Sequence, residues 1–115
     1  MGSTPAGEIN IANEVLADVA GFASLECYGV VGMASPSVRD GIAQVLTRDR
    51  LRKGVRISTT DEGIVVHLHV VIEHGTNLAE VSKNLADRVR YVLVKTADVN
   101  VHAVEVHVQG IKVRK

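Results

Sequence analysis

At 115 residues the chain supports one domain with one core, in which about two thirds of the unfolded surface can be buried. The apolar fraction, 46%, is ordinary, but it is supplied by Val, Ile, Leu and Ala with 3% aromatics and no Trp, a set that suits strands and close helix–sheet packing and offers few flat platforms for nucleic-acid bases. Thirteen Lys and Arg balance thirteen Asp and Glu, so the chain lacks the positive excess from which phosphate binders draw most of their affinity, and nucleic acid is not an expected partner.

The lone cysteine, Cys27, has no partner for an internal disulfide, which points to a reducing compartment. No apolar run approaches the roughly 20 residues that span a bilayer, so no integral membrane segment is expected. The start, Met1 to Gly7, is small and polar; it reads as a disordered tail with no signal peptide, and residues 8–113 as the domain.

In chain order, Glu8-Ile9-Asn10-Ile11 alternates and predicts a short strand. From Asn13 to about Glu26 the pattern turns helical, with Val15, Leu16, Val19, Ala20 and Ala23 on one face. Gly21 weakens that helix by about 1 kcal/mol relative to Ala. Tyr28-Gly29 closes it, and Val30–Ala34 predicts a short buried strand. Ser35-Pro36 reads as an N-cap and first helical residue of a short helix to about Thr47, with Val38, Ile42, Val45 and Leu46 inward. Arg48–Lys53 is a basic connector.

Two strands follow, Gly54–Thr60 and Gly63–His74, joined in a hairpin at Asp61-Glu62-Gly63. In the second, Ile64, Val66, Leu68, Val70 and Ile72 share one face, and Val65, His67, His69, Val71 and Glu73 the other. Thr76 or Asn77 can cap the next helix, with Glu80 in its first turn. That helix, Leu78 to about Ala97, repeats Leu78, Val81, Leu85, Val89, Val92 and Thr96 at three- and four-residue steps. The last strand, Asn100–Gln109, places Val104, Val106 and Val108 on one face; Val99 and Val101 have the wrong parity for it, which predicts a bulge or a late start.

The expected fold class is therefore α+β: a small mixed β-sheet with helices mainly on one face, in the order β-α-β-α-β-β-α-β. It includes a right-handed βαβ unit built from the long strand, the long helix and the last strand. The half-polar strands agree with a sheet covered on one face, since burial on both would give continuous apolar runs.

Candidate chemistry is sparse. His67, His69 and His107 fall on the non-core faces of two strands expected to be neighbours, and Glu105 shares the face of His107, so these four are candidate metal ligands; a solvated or interface-forming sheet face is the simpler alternative. His74 and His102 sit at strand ends with no evident role. Cys27 lies near a helix end beside Leu25 and Tyr28 with no nucleophile signature around it, which favours packing.

Gly29-Val30-Val31-Gly32 matches the GxxG of KH-type RNA-binding loops, but with two valines between the glycines it reads as a tight turn into the core; a KH-like module stays as an alternative. Arg48, Arg50, Arg52, Lys53 and Arg56 form the one local cationic excess, and Lys112, Arg114 and Lys115 a second; both suit a solvated connector or a surface for acidic partners or anionic lipid. There is no P-loop, no GxGxxG and no Ser/His/Asp signature, so no catalytic residue and no cofactor is assigned.

Taken together, the residues resemble a known family. Ile9-x-Ile11 before Val15-Leu16, the run Cys27-Tyr28-Gly29-Val30-Val31-Gly32-Met33-Ala34, Lys53-Gly54-Val55 and the strand ending His74-Gly75-Thr76-Asn77-Leu78 look like an alkaline shock protein domain. Asn84-Leu85 to Arg88-Val89 and the closing Val104-Glu105-Val106-His107-Val108-Gln109-Gly110-Ile111 complete it, over about residues 8 to 113. The resemblance implies a non-enzymatic, self-associating cytoplasmic protein of envelope stress response, acting by protein binding. Some members are held at the membrane by a separate membrane-embedded partner. The short form looks most like members encoded beside a dihydroxyacetone-kinase-like fatty acid kinase, which implies a lipid-pathway partner. Three departures stand out: Ala12 where a capping Ser or Asp is usual, Ala86 for a common Gln, and Ala97-Asp98 for a typical Gly plus an apolar residue.

Overall fold

The computed structural model describes residues 12–36 and 45–113. The expected tail, the strand at Glu8–Ile11 and most of the helix after Pro36 lie outside those residues. Within them the order is α1 (Asn13–Leu25), β1 (Val30–Met33), a 3-10 helix (Arg48–Gly54), β2 (Val55–Thr60), β3 (Gly63–Glu73), α2 (Leu78–Ala97) and β4 (Val101–Lys112). This is a mixed α+β fold around a four-stranded sheet.

β3 is the centre. β2 pairs antiparallel with its first half, Gly63–Leu68, and β1 with its second half, Val70–Ile72, so the two shorter strands follow one another along one edge. β4 runs parallel along the other edge from Ile64 to Glu73, reached through α2 as a parallel crossover. The period-two alternation of β3 decides the layers: Val66, Leu68, Val70 and Ile72 are each 0% exposed against the helices. Such fully buried side chains contribute about 1.5–3 kcal/mol apiece. Val71, on the opposite face, is buried as well.

The parity conflict in β4 is resolved by two register shifts. Ile64 faces Val101 while Val65 faces Ala103, so His102 is an extra residue; Val70 faces Val108 while Val71 faces Gly110, so Gln109 is another. The first shift lets Val101 and Val104 both join the core.

α2 behaves as its spacing predicts at Val81, Leu85 and Val89, but its last buried residue is Leu93, and both Thr96 and Leu78 are exposed. Asn77 caps it, accepting from the Glu80 N–H at 3.0 Å. Thr76, the other capping candidate, donates its hydroxyl to the Glu73 carbonyl instead. α1 is rotated from expectation. Val15 is 51% exposed, while Ala17, Gly21 and Ser24 are buried with Leu16, Ala20 and Ala23. The cause is close approach: a Cβ on Gly21 would lie 3.1 Å from Leu51 Cβ. The helix-weakening glycine is the site where the 3-10 segment packs, with Leu51 2% exposed.

That 3-10 segment is the expected basic connector. Before it, Val45 pairs with Ala34 in an isolated bridge and the Leu46 N–H donates to the Met33 carbonyl, so the end of the expected Pro36–Thr47 helix is extended chain. At the hairpin, Gly63 has φ 131°, and a Cβ there would lie 2.5 Å from the Asn100 carbonyl oxygen. The Asn100 amide also donates to the Glu62 carbonyl at 2.8 Å, tying the hairpin to the start of β4.

Candidate functional site on the histidine face of the sheet

The alternation that buries the even-numbered residues of β3 turns His67 and His69 to the face away from the helices. Parallel pairing sets Glu105 beside His67 and His107 beside His69, and β2 brings Arg56 to the other side of His67. His67 Nδ1 lies 3.2 Å from His107 Nε2 and 3.5 Å from Glu105 Oε1, and His107 Nε2 lies 3.8 Å from the same carboxylate oxygen. The His67 and His107 rings are stacked at 5.4 Å between centroids. The group is partly open to solvent, with the side chains of His67, His107 and Glu105 25%, 40% and 55% exposed.

His69 belongs to the same face but not to that triangle. Its ring stacks on His107 at 4.8 Å, and the Gln109 amide lies 3.0 Å from its Nδ1. Burial, then the neighbouring His107, Arg56 and His67, hold its pKa below the ordinary histidine value, which favours the uncharged ring. Of the four candidate ligands, His67, Glu105 and His107 are brought together, and His69 supports His107 from the side. Imidazole nitrogen and carboxylate oxygen are donors that suit divalent metals of intermediate softness. Among the described residues these three form the group of that make-up.

Arg52 turns to α1, with its guanidinium 3.2 and 3.0 Å from the two Asp18 carboxylate oxygens and 3.6 Å from Glu14. Arg56 lies on β2 beside the histidines, while Arg50 and Lys53 are exposed. Lys112 is paired in register with Glu73. His102 Nε2 sits 3.7 Å from Glu62, and the His74 N–H donates to the Lys112 carbonyl, so both remain strand-end residues.

Cys27 is half-buried, its thiol 3.6 Å from the Ala23 carbonyl; burial raises its pKa above the ordinary thiol value against the opposing pull of Arg88. The GxxG segment runs into β1: Gly29 turns with φ 88°, Val30 is 4% exposed, and Gly32 packs under Val45. A depression of about 220 Å³ lies between α1 and β2, its lining including Glu14, Ala17, Arg52, Val55, Arg56 and Ile57. That is smaller than the usual small-molecule cleft.

Gln109 was not legible in the sequence: it reaches His69 through the second register shift and carries no local signal. Arg56, read in the sequence as part of the cationic segment, joins the face through strand pairing.

No helix among the described residues is long and apolar enough to cross a membrane. The chain thus has an open sheet face, no helical span among those residues, and a βαβ unit at its centre. It belongs to the alkaline shock protein family, of cell envelope-related function, whose model matches residues 1–113. It is 37% identical over 111 residues to the uncharacterised protein YloU of Bacillus subtilis (strain 168), covering 96% of this chain and 92% of that protein. It is 38% identical over 112 residues to the uncharacterised protein Spy1614 of Streptococcus pyogenes serotype M6, covering 96% and 93%. A fold likeness extends to the zinc form of MamM CTD D249E, with a TM-score of 0.50 and 11% identity over 90% of this chain and 87% of that one.

Proposed function

We propose that this chain is a non-enzymatic interaction domain that self-associates and acts as a scaffold in cell-envelope or lipid homeostasis. The observation that carries this reading is β4. Over Val101–Lys112 its pairing partner among the described residues is β3 alone, and among those residues its other edge offers backbone donors and acceptors to another strand. Val108, Ile111 and Val113 are exposed toward the end of that edge. A second copy meeting it across a two-fold axis satisfies both edges at once. The cell envelope-related function of the family supplies the setting. In this reading the protein is cytoplasmic and reaches the membrane through a membrane-embedded or lipid-pathway protein.

Light scattering coupled to size exclusion, at several concentrations, tests the assembly. The expected result is a dimer or larger species that Ile111→Lys shifts toward monomer. A strict monomer at every concentration would falsify self-association. In-cell crosslinking with identification of the attached proteins tests the envelope link, and capture of this chain alone removes the partner.

A further inference from the structure

The histidine face carries more than a polar surface. The three facing atoms, His67 Nδ1, His107 Nε2 and Glu105 Oε1, form a triangle with sides of 3.2, 3.5 and 3.8 Å. Two ligand atoms bound to one tetrahedral zinc at about 2.0–2.1 Å are about 3.3 Å apart. The circle through the three atoms has a radius of about 2.0 Å, so one ion a little above their plane reaches all three at ordinary bond lengths.

We infer that His67, His107 and Glu105 form a binding site for one divalent transition metal of the zinc class. Two imidazoles and a carboxylate are a donor set for such ions, and the carboxylate offsets part of the ion's charge. Three protein ligands leave a fourth position open for water or another donor; a closed structural site uses four. The His69 ring, stacked on His107 and bonded to Gln109, fixes the orientation of the His107 ligand. Partial exposure gives the ion a way in without local unfolding.

The test is calorimetric titration of Zn²⁺ into the full chain after EDTA stripping and dialysis. One ion per chain is expected. His67→Ala and His107→Ala weaken it at least about tenfold, the scale seen when even supporting groups of metal sites are removed. His102→Ala, outside the triangle, leaves it unchanged. Should a histidine variant fail to fold, Glu105→Gln, at a half-exposed position, carries the same expectation. Co²⁺ in place of Zn²⁺ gives the intense visible bands of a four-coordinate ion. Absence of saturable one-to-one uptake overturns the inference. So does uptake that survives both His107→Ala and Glu105→Gln, or that depends on His102.

Discussion

Cys27 shows how a residue's chemistry follows from its surroundings more than from its type. Its sulfur sits at the end of α1 against the Ala23 carbonyl, and desolvation raises its pKa. The nucleophile is the thiolate, so a raised pKa leaves less of it at any pH below that value. Alkylation by iodoacetamide at pH 8 should be slower than that of a free thiol, reaching the free rate only after unfolding in urea; equal rates in both would mean the thiol is not shielded. Arg52 makes the complementary point. Read as part of a cationic surface, it is committed to Asp18 and Glu14 on α1, an exposed arrangement that contributes roughly 0–1 kcal/mol to stability and removes one charge from any docking patch.

At the scale of elements, the helices divide by how their ends are made. α2 has a side-chain N-cap at Asn77, whereas Ala12 gives α1 no side-chain cap. At its other end α2 stops on Asp98 with φ 53° and ψ 41°, a left-handed conformation that a side chain resists and glycine adopts freely. Asp98→Gly should therefore raise stability by about 0.5–1 kcal/mol, seen as a higher midpoint in thermal or urea unfolding. A lower midpoint would show that the Asp side chain itself holds the turn.

Much of this level was legible. The alternation of β3, the hairpin, the cap of α2 and a register fault in β4 all follow from local spacing, because strands alternate with period two and capping residues act within one turn. The rotation of α1 was not legible. Helical spacing marks Val15 and Val19 as apolar but carries no sign that Leu51, far along the chain, packs against the bare surface of Gly21. The same applies to the connector, whose cationic composition hides one buried leucine.

For the molecule as a whole, stability rests on one layer of contact between α1, α2 and the inner face of the sheet. Leu85 is at the middle of α2 and 0% exposed. Leu85→Ala leaves a cavity that the surrounding Val and Ile fill only in part, so a loss of about 3 kcal/mol is expected in chemical unfolding. A loss below about 1 kcal/mol would mean that the core collapses around the gap. On the outer face Val71 is buried, while His67, His69, Glu105 and His107 keep partial or full exposure.

The α+β class, the two faces of β3 and the family could all be read along the chain, since each rests on periodicities and ordered residues that neighbours a few positions apart express. Folding in three dimensions had to settle the rest: that β3 is central, that β2 and β1 share its other edge, and that the register of β4 sets Glu105 beside His67 and His107 beside His69. Strand pairing joins residues distant in the chain, and its register is set by the summed burial of a whole face, a quantity no local window contains.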